Sequence, residues 1–273
     1  MSGRRLIVGL ALGCGLLFGF AHTVSAQGLI WNLPKDGTWV RYEGTYKQVE
    51  FRPNSAEGDL TIEWIRHLWI KSVGRETADY NGKPTPCRWI EIRVITGKPS
   101  EAGVDPGPIG GRIIKVLVPE SRVIAATVDK DQIPVAYLPI VKGYSKVGDG
   151  EVRTIRAKAL KVYPLISLVT YYKTLSKIGT AEPLQIPLKE VTAQQYRGIF
   201  KMESPLERSN NQATLWTSKD VPFGLARWKV KVLLEAKDSV APRSAFKPTT
   251  EMTVEMSAHA VGTDAQSDLV TPK

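Results

Sequence analysis

The sequence predicts a mainly β protein: a curved antiparallel sheet, half-barrel-like, with one or two helices covering one face. Three observations carry this. Apolar and polar residues alternate with a period of two over long stretches, which sends alternate side chains to opposite faces of a strand. Short turns join most of these stretches, and short turns link antiparallel neighbours. One segment breaks the period with apolar residues at helical spacing.

Taken in order, the chain opens with Arg4 and Arg5, an uncharged apolar run from Leu6 to Ala21, and the small residues Val24-Ser25-Ala26. This is the pattern of a secretory signal over residues 1–26, with cleavage expected before Gln27. The run is shorter than the roughly 20 residues of a bilayer span, and no later segment is long and apolar enough to cross. Cys14 follows Ala11-Leu12-Gly13, without the leucine that an acylation site has three positions before its cysteine, so lipidation is disfavoured. The residues around the arginine pair do not complete a twin-arginine signal. The expected location is periplasmic or secreted. Cleavage after residue 26 leaves 247 of the 273 residues. They read as a single β-rich domain over 27–261 and a disordered tail over 262–273.

The first strand is expected from Thr38 to Phe51 and the second from Leu60 to Val73. In the second, the even positions carry Leu60, Ile62, Trp64, Leu68 and Ile70, while the odd positions add Ile65 and Trp69. A strand apolar on both faces needs the core on one side and a covering helix, loop or ligand on the other. Asn81-Gly82, a pair with ready access to positive φ, predicts a tight hairpin turn into a strand from Cys87 to Thr96. There Ile90, Ile92 and Val94 share one face, and Trp89, Glu91 and Arg93 the other. Gly97 to Gly111 is a loop rich in Gly and Pro, without the glycine spacing or following helix of a phosphate cradle. Further strands are expected over Arg112–Val118, Arg122–Val128, Gln194–Glu203, Ala213–Thr217, Leu225–Ala236 and Met252–Val261. Leu165, Leu168, Val169, Tyr172 and Leu175 predict a helix from about Pro164 to Lys177. A weaker helical stretch, Pro134 to Ser145, is limited by Pro139 and Gly143.

The chemistry available is sparse. Beyond the signal, 35 basic and 27 acidic residues leave a balance of +8, which favours acidic partners such as phospholipid head groups, lipopolysaccharide or anionic wall polymers. The cations are spread along the chain, and nucleic acid is disfavoured. Cys87 is the one cysteine left, so no internal disulfide can form, and it reads as a buried inert thiol. His67 and His259 both fall in strands and read as surface or satisfied strand residues. Two histidines exclude a multi-histidine zinc site. Asp129-Lys130-Asp131 reads as a turn rather than a calcium loop. No G-x-S-x-G elbow is present. Asp59, Glu63 and Glu91 could serve glycoside hydrolysis only if the fold brings two of them together. No catalytic residue, cofactor or metal is therefore assigned.

What stands out is apolar and aromatic surface. Trp64, Trp69, Trp89, Trp216 and Trp228, with Phe223 and with Leu168 and Tyr172 from the predicted helix, are expected to line a space between sheet and helix. Such a space would suit acyl chains or a hydrophobic peptide. Stacking of sugar rings is a competing use.

The segment Leu215-Trp216-Thr217-Ser218-Lys219-Asp220-Val221-Pro222-Phe223-Gly224-Leu225-Ala226-Arg227-Trp228 resembles the hairpin of the LolA/LolB-like superfamily of periplasmic lipoprotein carriers. The order of elements, many antiparallel strands with helices inserted midway, is also similar. The resemblance covers about 14 residues, and it implies a half barrel closed by helices around an apolar cavity. The Gly97 to Gly111 insertion departs from that family. The expectation is thus an exported, non-catalytic binding protein for an apolar ligand, with a lipid or lipoprotein as partner. The alternative is a structural module of the envelope that binds an anionic polymer.

Overall fold

The structure, a computed structural model, describes residues 28–101, 103–123, 137–161, 163–173 and 175–270. The expected signal, the Asp129–Asp131 turn and most of the Arg122–Val128 strand lie outside these residues. Twelve strands form: β1 (Trp39–Glu50), β2 (Leu60–Asp79), β3 (Pro84–Ser100), β4 (Gly103–Asp105), β5 (Arg112–Pro119), β6 (Lys142–Val147), β7 (Arg153–Thr154), β8 (Leu175–Gln185), β9 (Glu190–Glu203), β10 (Glu207–Thr217), β11 (Leu225–Ala236) and β12 (Lys247–Gly262). They lie in one antiparallel sheet in the order β7-β6-β5-β3-β2-β1-β12-β11-β10-β9-β8, with β4 paired to β3 beside this path. The outer strands β7 and β8 do not meet, so the sheet is open.

The hairpin between β2 and β3 turns as expected. Asn81 and Gly82 have φ of 60° and 76°. Tyr80 and Lys83 exchange backbone hydrogen bonds of 2.9 and 3.3 Å, the arrangement of a two-residue turn with both central residues at positive φ.

The core lies against one face, here the inner face. Cross-strand register stacks Tyr42 beside Leu68 and Ala258, Trp228 beside Met256 and Leu215, and Tyr196 beside Leu215. All are buried. Tyr42 meets Trp228 edge to face, with ring centroids 4.9 Å apart.

Among the described residues the expected long helix is absent. One short helical turn, α1 (Tyr163–Ser167), forms, and residues 168–173 then cross the inner face without regular structure. Leu168 has a φ of 57°, a left-handed conformation that stops the helix. The following Val169-Thr170-Tyr171-Tyr172 is a β-branched and aromatic run with poor helix propensity. Three side chains from the sheet bind the carbonyls that a longer helix would have used. Arg66 Nη1 donates to Ile166 O at 2.6 Å, Trp228 Nε1 to Ser167 O at 3.2 Å, and Asn211 Nδ2 to Leu168 O at 2.8 Å. In the described part of the weaker helical stretch, 137–145, no helix forms, and the chain enters β6, which lies between β5 and the edge strand β7. The sequence pattern also missed β7, and β8, whose side chains are largely exposed.

The outer face of β2 and β3 has its own cover. Residues expected to form a disordered tail run across it instead. Asp264 accepts from Trp39 Nε1 at 2.8 Å, and the Ala265 amide donates to Gly37 O at 2.8 Å. The carboxylate of Glu91 is fully buried and accepts from Ser267 Oγ at 2.6 Å and from the amides of Asp268 and Leu269 at 2.9 and 3.3 Å. Lys71 reaches Asp268 at 2.7 Å and Glu91 at 3.5 Å. The doubly apolar β2 is thus met by core inside and by a chain segment outside.

Candidate functional site

The inner face is largely filled by the chain itself. Leu29 and Ile30 cover part of it, and Ile166, Leu168, Val169 and Tyr172 fill its middle. Tyr172 lies directly on Gly198, where an added Cβ would sit 2.5 Å from the ring. Its hydroxyl donates to Asn211 Oδ1 at 2.7 Å.

At the β2–β3–β5 end the filling stops, and a cleft of about 600 Å³ remains among the described residues. Register explains its lining, because inner-face residues of neighbouring strands fall in rows. Arg66 pairs with Thr96, and Val94 with Arg112; Arg112 in turn pairs with Val147. Leu165 and Ile166 form one wall, and the loop from Asp105 to Gly110 forms another. Large apolar groups stand open here: Trp64 is 37% exposed, Val147 42%, Leu165 69% and Ile109 71%. Trp64 stacks on Tyr46 with centroids 5.9 Å apart, so its ring is held rather than loose.

Arg66 is the polar centre of this cleft. It is 6% exposed, its Nε donates to Thr96 Oγ1 at 2.8 Å, and its guanidinium lies 4.8 Å from the Tyr46 ring centroid. Burial pushes the guanidinium down to about 10, with the Tyr46 ring opposing the shift, and it stays charged at neutral pH. Arg88, at 5% exposure, is buried to the same degree but pairs with Glu120 at 2.8 Å. Burial alone would raise the Glu120 carboxyl; hydrogen bonds from Arg75 and Arg88 hold it below its usual value.

The structure divides the residues expected to line one cavity. Leu168, Tyr172, Phe223 and Trp228 are buried in the core. Phe223 adopts a φ of 62° in the β10–β11 turn, where its carbonyl accepts from the Trp31 amide at 2.7 Å. Trp69, Trp89 and Trp216 lie half-buried on the outer face, beneath or beside Arg93, Lys115 and Arg227 at 5.3, 5.4 and 5.3 Å. Trp64 alone of the eight lines the cleft. Arg66 was missed although a signal existed, since it interrupts the even-numbered apolar stripe of β2. Ile109 and Leu165 carried no such signal.

Elsewhere the titratable groups serve local pairs. His67 and His259 approach the same Glu43 oxygen at 3.8 and 3.5 Å, and Arg41 lies 3.1 Å from His259 Nδ1. Among the described residues no cluster of His, Cys, Asp and Glu could hold a metal ion. Asp59 accepts from the Arg52 amide at 2.8 Å and Glu63 pairs with Lys47 at 2.7 Å. Glu91 is opposite Lys71, eight residues from Glu63 along β2 and so roughly 27 Å from it. These carboxylates do not come together. Cys87 is buried, and burial raises its thiol above the ordinary value.

The class defined by these features is an open antiparallel sheet with a cleft at the β2–β3–β5 end of its inner face. No protein-family model matches the chain, and no curated protein matches it. Two solved structures are similar over most of its length. One is a candidate lipoprotein from Parabacteroides distasonis, 13% identical, with a TM-score of 0.35, covering 85% of this chain and 98% of that chain. The other is a candidate exported protein with a YmcC-like fold from Bacteroides fragilis, 8% identical, with a TM-score of 0.31, covering 85% of this chain and 99% of that chain. Similarity at this level assigns no function to this chain. No helix among the described residues is long and apolar enough to cross a membrane.

Proposed function

We propose that this chain is an exported envelope protein that binds an apolar ligand, a lipid or the acyl part of a lipidated partner, in the end cleft, without chemistry. The observation that carries the reading is the cleft wall: four large apolar side chains exposed around one volume of about 600 Å³. Scattered apolar residues are normal on a surface, whereas a grouped set in a concavity of this size is the usual form of a small-ligand site. The hairpin resemblance to LolA/LolB-like carriers points to the same ligand class. In this chain, however, residues 166–172 occupy the middle of the inner face, so the ligand space is the end cleft.

The test is native mass spectrometry of protein purified from its own envelope, with titration of a fluorescent acyl probe. One bound acyl ligand per chain is expected, and Trp64→Ala should weaken probe binding about tenfold, equivalent to ~1.4 kcal/mol, with little change in thermal stability. Absence of both co-purified lipid and probe binding overturns the reading. A second reading, contact with an anionic envelope polymer, rests on the exposed Arg197, Lys201, Lys229 and Lys231 on the outer face of β9 to β11. It requires sedimentation with envelope fragments that weakens as salt rises, and indifference to salt counts against it.

A further inference from the structure

The buried guanidinium of Arg66 lacks the acid that a buried cation ordinarily needs. Taking a charge out of water costs several kcal/mol unless a counter-charge and hydrogen bonds offset it. Arg88 meets that condition through Glu120. Arg66 does not: among the described residues it has no carboxylate partner, and only Nε and Nη1 are hydrogen-bonded, to Thr96 and Ile166. Its Nη2 makes no hydrogen bond among the described residues and is not sealed from solvent.

The surroundings repeat the imbalance. Arg112 and Lys98 line the same cleft and make no ion pair among the described residues. Asp105 is the one acid in the lining, and its carboxylate already accepts from the Gly107 amide at 2.8 Å. Charge is therefore concentrated on one sign, beside walls made of Trp64, Val147 and Leu165. A ligand complementary to both has anionic oxygens joined to an apolar chain. Guanidinium is also the side chain best suited to such oxygens, because its planar N–H groups meet carboxylate or phosphate in pairs.

We infer that the cleft is a site for a single-chain acidic amphiphile, whose carboxylate or phosphate head is received by Arg66 with Arg112 and Lys98 near the mouth, while its alkyl chain lies on Trp64, Val147 and Leu165. This rests on the end cleft being the ligand site and adds the class of head group. The cleft lies in the size range, about 300–1,000 Å³, of sites for one small ligand.

The test is competition for a bound fluorescent acyl probe by four C16 ligands below their micellar concentrations: palmitate, hexadecyl phosphate, hexadecanol and hexadecyltrimethylammonium. At least one anionic ligand should bind ten-fold or more tightly than hexadecanol, the ammonium should bind weakest, and the tighter of the two anions identifies the head. Arg66→Gln should remove the preference for that anion over hexadecanol measured in the same variant. Equal binding of neutral and anionic ligands overturns the inference but leaves the cleft as an apolar site. Binding of none overturns both. Retention of the preference by a folded Arg66→Gln protein overturns the assignment to Arg66. Because Arg66 also holds the Ile166 carbonyl, the variant can lose its fold, so photoactivatable palmitate is used on the wild type as well. Labelling within 105–112 or at 165–166 is expected, and labelling confined to the outer face overturns the site.

Discussion

Arg66 and Arg88 sit on neighbouring strands, face the same way and are buried alike, yet only one has an acid. Around Arg88 the network is complete: Glu120 accepts from Arg88 and Arg75 at 2.9 Å each, and Ser72 and Pro34 take the remaining donors. This network has a pH signature. The folded Glu120 carboxyl is held below its usual 4.5, so its contribution to stability is complete above that value and fades as pH falls through the lower folded one. Thermal melts of the wild type should therefore drop from pH ~4.5 downwards. Glu120→Gln should melt lower at pH 7, by about 2 kcal/mol of stability, and lose part of the acid-side slope. Equal slopes in both proteins would mean that other carboxylates carry the acid limb. The two arginines also mark what a sequence can disclose at this scale. A charged residue inside an apolar alternating stripe is visible as an interruption; whether a carboxylate meets it depends on residues 32 positions away, in the case of Arg88 and Glu120.

At the scale of elements, period-two alternation located most long strands because each presents one face to the core. Leu225–Ala236 coincides with β11, and the hairpin turn at Asn81-Gly82 is where its local chemistry requires it. The failures have a common physical origin. Apolar residues over 165–175 repeat at helical spacing, but helix formation there competes with three sheet side chains for the backbone carbonyls, and the sheet wins. β8 was missed because an exposed edge strand need not alternate. The segment over 263–270 looked disordered because its polar residues have no pattern of their own; their partners lie on β1, β2 and β3. Its anchor is the buried Glu91. Glu91→Ala should remove the acceptor for two amides and one hydroxyl and cost about 2 kcal/mol. Hydrogen exchange of residues 264–270 should then rise to unprotected rates while β9 to β11 keep their protection. Unchanged exchange in the 264–270 amides would refute Glu91 as the anchor.

For the whole molecule, the decisive pairing is β1 with β12, which joins the two ends of the described chain at the centre of the sheet. The strands on one side, β2 to β7, follow β1 in order, and β8 to β11 precede β12, so each half is a run of mostly local contacts. The two halves share a core, since Tyr42 of β1 packs on Trp228 of β11 across the seam, and we propose that neither folds alone. Removal of residues 247–270 should accordingly abolish the cooperative unfolding transition rather than lower its midpoint, as read by far-UV circular dichroism on heating. A truncated chain that still melts cooperatively would show that one half folds alone. The topology of the seam was not legible in the sequence, since alternation identifies faces and not neighbours.

The same seam bears on timing. A ribosome releases β12 last among the twelve strands, some two hundred residues after β1, and long-range pairing of this kind is slow to form. Until then Tyr42, Val40 and Leu68 lack the β12 residues Val254, Met256 and Ala258 that complete their core. For an exported chain, as we propose this one to be, the late arrival of the central partner strand would leave time for threading before collapse.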